Sequence, residues 1–153
     1  ANMDTVDFST QKSPFKVCAN GVDYKGRVLL IATGENPKML EVPGEKEFGG
    51  RGVSYCATCD GAFFRNKEII VVGGGDSAME EANFLTTFAS KVKVVHRRDD
   101  FRASAVMIDR VRKNPKIELM LDSQITEIHG SNNVEKVSIK NTKTGEIQFK
   151  EYL

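Results

Sequence analysis

Glu68-Ile69-Ile70-Val71-Val72-Gly73-Gly74-Gly75-Asp76-Ser77-Ala78 is an apolar run that breaks into three glycines and then into helix-forming residues. It reads as a buried strand to Val72, followed by a helix from Ser77 to about Phe88. A second strand at Val92 to His96 completes a βαβ unit. Residues 73–78 match Gly-x-Gly-x-x-Ala. Gly73 allows the tight turn, Gly75 lets a pyrophosphate approach bare backbone, and Ala78 lets the helix lie close on the strand. The helix N-terminus adds free N–H groups and a positive dipole end. A glycine motif alone says little, but here the strand before it, the helix after it and the second strand supply its required context. Asp76 reads as a helix cap.

Toward the C-terminus, a helix is expected from Ala103 to Lys113, with Val106, Ile108 and Val111 apolar and Asn114-Pro115 as its stop. Ile117-Glu118-Leu119-Met120-Leu121 opens a strand-rich tail. Within it Ile125 to Ile128, Val134 to Ile139 and Ile147 to Phe149 alternate between turn signals, the pattern of an antiparallel meander. After the meander, no strand is expected to return to the parallel sheet. The fold class is therefore α/β: a Rossmann-like, three-layer domain with a parallel sheet and an antiparallel meander.

Toward the N-terminus, Thr33-Gly34-Glu35-Asn36-Pro37 and Val42-Pro43-Gly44 mark residues 35–52 as a linker or hinge. Before it, Val28-Leu29-Leu30-Ile31-Ala32 is apolar without alternation, which suggests a strand buried on both faces. Nothing earlier reads as a helix able to cover it, so residues 1–34 are expected to belong with a neighbouring domain, in a longer chain. Phe15 to Cys18 and Tyr24 to Gly26 flank a hairpin turn at Ala19-Asn20-Gly21, and Val6 and Phe8 suggest a short edge strand. The division is 1–34, 35–52 and 53–153.

The 153 residues are 40% hydrophobic and 28% charged, enough apolar content for a core. A net charge of +1 gives no global pull toward nucleic acid or membrane. No apolar run approaches the roughly 20 residues that span a bilayer, and Ala1-Asn2-Met3-Asp4 does not read as a secretory signal. Three cysteines, an odd count, favour a reducing compartment, hence the cytoplasm.

The choice of dinucleotide rests on the end of the second strand. An Asp or Glu there, ~20 residues past the glycines, would bind a ribose 2′-hydroxyl. This chain has His96-Arg97-Arg98 instead, with Arg102 further on. Guanidinium groups pair bidentately with a dianionic 2′-phosphate, so the cofactor is expected to be NADPH. The competing reading is a solvated basic loop balanced by Asp99 and Asp100.

A second piece of chemistry, Cys56-Ala57-Thr58-Cys59-Asp60, lies just upstream. Zinc would need two more ligands at ordered spacing, and only the scattered Cys18, His96 and His129 remain. Two buried thiols with no chemistry are a further alternative. A redox pair fits best, because two intervening residues let the sulfurs meet. Asp60 would then serve as proton donor or acceptor for the leaving sulfur. No metal is expected, and Cys18 reads as structural.

Taken together, Cys56-Ala57-Thr58-Cys59-Asp60-Gly61-Ala62-Phe63-Phe64, the run from Gly73 through Glu80 to Ala82, and His96-Arg97-Arg98-Asp99-Asp100-Phe101-Arg102-Ala103 resemble the low-molecular-weight thioredoxin reductases. Ile31-Ala32-Thr33-Gly34 with Pro37 resembles the point where that family's chain leaves its FAD domain. The resemblance implies a homodimeric flavoenzyme that passes a hydride from NADPH to FAD, reduces a Cys56–Cys59 disulfide and then reduces thioredoxin. It adds Glu80 to the cofactor-binding candidates, which are Gly73, Gly75, Asp76, Ser77, Ala78, His96, Arg97, Arg98 and Arg102. The catalytic candidates are Cys56, Cys59 and Asp60. The family's FAD motif lies N-terminal to everything here, so this chain alone is expected to bind NADPH without turnover. A reductase serving a peroxiredoxin and a stand-alone NADPH-binding redox module are the alternatives.

Overall fold

The structure, a computed structural model, describes residues 3–7, 14–32, 34 and 36–151. It divides into two compact units, residues 1–36 and 37–153.

The first unit is an antiparallel sheet of β1 (Met3–Asp7), β2 (Phe15–Ala19) and β3 (Val22–Gly26), in that order. Asn20 and Gly21 join β2 to β3 with φ of 52° and 74°, the two positive angles of a two-residue hairpin turn. β1 is an edge strand in which Val6 pairs with Val17; the expected Phe8 lies outside the described residues, as do Thr33 and Glu35. The strand expected at Val28 to Ala32 is absent, and Val28 and Leu30 are each 85% exposed. A strand buried on both faces exists only where neighbours pair with its backbone and layers cover its side chains. The described residues of this unit provide neither. Indeed, no described residue before Glu45 is buried.

The second unit begins with a short helix, α1 (Ala57–Asp60), running into a 3-10 turn at Gly61–Phe64. The βαβ unit follows: β4 (Glu68–Val72), α2 (Asp76–Leu85), β5 (Lys91–Val95), α3 (Ala105–Lys113) and β6 (Ile117–Met120). β4, β5 and β6 form a parallel sheet in that order. β6 therefore closes the parallel sheet and is not part of the antiparallel tail that Ile117 was expected to open. The meander is β7 (Ser123–Gly130), β8 (Val134–Asn141) and β9 (Ile147–Glu151).

Period-two alternation explains the layers. Ile69, Val71, Val92 and Val94 face α2 and α3, in a core with Met79, Ala82, Leu85 and Val111. Ile70, Val95 and Met120 face the other way, onto Ile125, Ile128, Val137 and Ile139 of the meander. The result is helices, parallel sheet and meander in three layers. α2 stops at Leu85, before the expected Phe88, and Lys116 Nζ donates to the carbonyls of Thr86 and Ala89 just beyond its end. A cation there satisfies terminal carbonyls and the negative dipole end together.

Residues 35–52, read above as a linker, join this unit from Pro37 onward. Phe48 is 2% exposed against the meander core. The buried Glu45 carboxylate accepts the N–H groups of Leu40 and Glu41 at 2.8 and 2.7 Å. Gly44 lies so close to the Ile128 carbonyl that no side chain fits.

Candidate dinucleotide and dithiol site

The turn between β4 and α2 has the shape its glycines require. Gly73 has φ of 156°, and a Cβ there would sit 2.7 Å from that of Ala78. The small residues at the first and last motif positions thus let strand and helix meet. Gly75 is the N-cap of α2, and a Cβ on it would meet nothing within 4 Å. No protein packing demands glycine there, and the open space beside it is where bare backbone would admit a phosphate. The first bond into the helix runs from Met79 N–H to the Gly75 carbonyl. The N–H groups of Asp76, Ser77 and Ala78 precede it and are the unpaired donors of a helix start.

Gly74 faces the other way. A Cβ there would fall 2.3 Å from Cε1 of His96. His96 is 8% exposed, stacks on Phe101 at 5.3 Å, and directs Nε2 at the Asp100 carbonyl, 3.0 Å away. Since a carbonyl only accepts, that nitrogen carries the proton. His96 is thus a lid on the glycine turn, whereas Arg97, Arg98 and Arg102 are exposed. The Gly74 carbonyl accepts the N–H groups of Arg102 and Ala103, at 2.8 and 3.1 Å. The arginine loop is therefore built onto the glycine turn.

Asp76 corrects an expectation. It is the first helical residue and not the cap, and its Oδ1 accepts both N–H and hydroxyl of Ser104 at 2.8 Å. Those bonds, the backbone one foremost, hold its carboxyl below the usual Asp range. The aspartate ties α2 to the far end of the arginine loop.

Among the described residues none of the three guanidinium groups forms an ion pair, although two aspartates follow Arg98 directly. Asp99 is bound by Lys143 at 3.1 Å, and Asp100 Oδ1 accepts the Phe101 N–H at 2.9 Å. The lysine bond holds the Asp99 carboxyl below its ordinary value. Neither aspartate pairs with an arginine among the described residues.

Cys56 and Cys59 are joined by a disulfide, and Cys18 is free. Cys56 caps α1, and its Sγ accepts the Cys59 N–H at 3.2 Å. Ser54, which sequence reasoning missed, supports both halves of this site. Its Oγ accepts the Cys56 N–H at 3.1 Å and donates to Asp60 Oδ2 at 2.6 Å. A serine two residues before the helix cap was the available signal. Ala57 packs on the helix core, and a Cβ at Gly61 would crowd Leu85 and Phe88, at 3.0 and 3.2 Å.

The two pieces of chemistry share a border. Ala57 and Thr58, between the cysteines, line a cleft of about 330 Å³ with Ser77, Glu80, Glu81 and Phe84 of α2. Of the expected cofactor residues, Ser77 and Glu80 thus face the dithiol helix, while the arginines lie on the loop against the glycine turn.

Known proteins match this arrangement. The thioredoxin reductase of Bacillus subtilis (strain 168) is 53% identical over 131 residues, 85% of this chain and 42% of the relative. A bifunctional thioredoxin reductase/thioredoxin of Mycobacterium leprae (strain TN) is 48% identical over 145 residues, 94% of this chain and 32% of that protein. The crystal structure of Lactococcus lactis thioredoxin reductase superposes with a TM-score of 0.77 at 48% identity, covering 90% of this chain and 46% of that one. The chain thus spans less than half the length of these relatives. The pattern of one family, described as pyridine nucleotide-disulphide oxidoreductase, matches residues 2–152. With its glycine-turned βαβ unit and adjoining disulfide, the chain belongs to the pyridine nucleotide-disulphide oxidoreductase family.

Proposed function

We propose that this chain supplies the NADPH-binding and dithiol part of an enzyme that reduces the disulfide of thioredoxin. The observation that carries the nucleotide reading is a set of guanidinium groups, without an ion pair among the described residues, on a loop hydrogen-bonded to the glycine turn. Gly75 leaves room for the pyrophosphate, the first N–H groups of α2 donate to it, and Arg97, Arg98 and Arg102 take the 2′-phosphate. NADPH would supply a hydride, and FAD, implied by the resemblance of the motifs, would pass its electron pair to the disulfide when bound. No residue of this chain is assigned to FAD.

Reducing the Cys56–Cys59 disulfide takes two electrons and yields two thiols after protonation. Asp60, held beside the pair by Ser54, is the group placed to supply or remove a proton. The Cys59 N–H aimed at Cys56 Sγ favours a thiolate on Cys56 once the bond opens. That thiolate then attacks the thioredoxin disulfide, and the second thiol displaces the reduced partner. Residues 1–34 are read as part of the flavin-binding half, and the whole enzyme as a cytoplasmic homodimer.

The nucleotide reading is tested with the double variant Arg97→Ala/Arg98→Ala. Each charged hydrogen bond is worth about 1.5–3 kcal/mol, so NADPH binding should fall at least about tenfold while NADH binding holds. Equal losses for both nucleotides, measured by titration calorimetry, would reject the 2′-phosphate assignment.

A further inference from the structure

Residues 96–99 are stitched to two segments remote in sequence. Ser123 N–H donates to the His96 carbonyl at 2.9 Å, and Asp122 N–H to the Arg98 carbonyl at 3.2 Å. Thr142 Oγ1 donates to the Arg97 carbonyl at 3.1 Å, while Thr142 N–H donates to the Asp122 carbonyl at 2.7 Å. At the centre stands Lys143, in the turn between β8 and β9, with its Nζ 3.1 Å from Asp99 and 3.0 Å from Asp122. All three charged groups lie in the same unit.

Asp99 is adjacent to Arg98 and two residues from Arg97. An unengaged carboxylate at that position would turn toward the nearest guanidinium, because opposite charges within a few ångströms attract even at a wet surface. A phosphate would then have to displace it. We propose that Lys143 is a specificity-determining positioning residue for the 2′-phosphate, engaging Asp99 so that Arg97 and Arg98 stay open to an external dianion. Lys143 touches no nucleotide in this scheme, and its contribution to folding is that of an exposed pair, which is small. The proposal rests on the NADPH reading above.

The experiment titrates NADPH and NADH into the full chain and into Lys143→Met, Lys143→Arg and the double variant Lys143→Met/Asp99→Asn, with thermal midpoints recorded alongside. Lys143→Met should weaken NADPH about three- to fivefold, the range of exposed charge pairs, and leave NADH unchanged. Lys143→Arg should keep the original selectivity. Removing the freed carboxylate in the double variant should restore it. An unchanged ratio of NADPH to NADH affinity in Lys143→Met overturns the proposal. So does an equal loss for both nucleotides, or a double variant no better than Lys143→Met. If the unsubstituted chain itself fails to prefer NADPH, the NADPH reading falls first and this inference with it, a result distinguishable from the others.

Discussion

In β5, Val92, Val94 and Val95 are completely buried, whereas Val28 and Leu30, equally apolar and also in an unbroken run, are 85% exposed and belong to no strand. What separates them is company. β5 lies between β4 and β6, with α2 and α3 on one face and the meander on the other. Each of these valines has a ladder partner on both sides and a covered face. The run from Val28 to Ala32 has neither among the described residues of its unit. An apolar stretch encodes a demand for burial, and its neighbours decide whether the demand becomes a strand.

The contrast can be broken most forcefully at Val94. Val94→Asp places a carboxylate between helices and sheet, at a cost of several kcal/mol against a total stability of about 5–15 kcal/mol. The second unit should lose its cooperative urea transition by circular dichroism. Leu30→Asp should leave that transition within about 0.5 kcal/mol. A large effect at Leu30 would mean that the run is covered after all.

A finer version of the same contrast lies inside one turn. Gly74→Ala drives a methyl group into the His96 ring and should cost about 1–3 kcal/mol. Gly75→Ala meets nothing in the protein, so its melting temperature should match that of the original chain. Its methyl group would nonetheless occupy the space assigned to the pyrophosphate, and NADPH affinity should drop about tenfold or more. If Gly75→Ala destabilises the fold yet binds NADPH normally, the cradle has been assigned to the wrong side of the turn.

The βαβ unit was legible because strand, glycine turn and helix each carry a local signal, and the Asn20-Gly21 hairpin for the same reason. What sequence reasoning missed depends on contacts far apart in the chain. Asp76 has the residue type of a cap, but Ser104, 28 residues away, gives its carboxylate a better partner. His96 sits among arginines in sequence, and only the gap above Gly74 and the face of Phe101 turn its ring inward. Ile117 to Met120 reads as one more strand at the head of the tail, and its pairing with β5 decides its sheet. Phe48 lies among turn-forming residues, and only the hollow it fills shows that this stretch is packed rather than loose.

The central claim, that this unit holds a 2′-phosphorylated nucleotide beside its dithiol, is tested most directly without flavin or thioredoxin. The chain is titrated with 2′,5′-ADP and with 5′-AMP, which differ only in the phosphate that the arginine loop is proposed to bind. The account requires 2′,5′-ADP to bind at least about tenfold more tightly, one charged hydrogen bond's worth, with a preference that shrinks as salt rises. Equal affinities at low salt would contradict it.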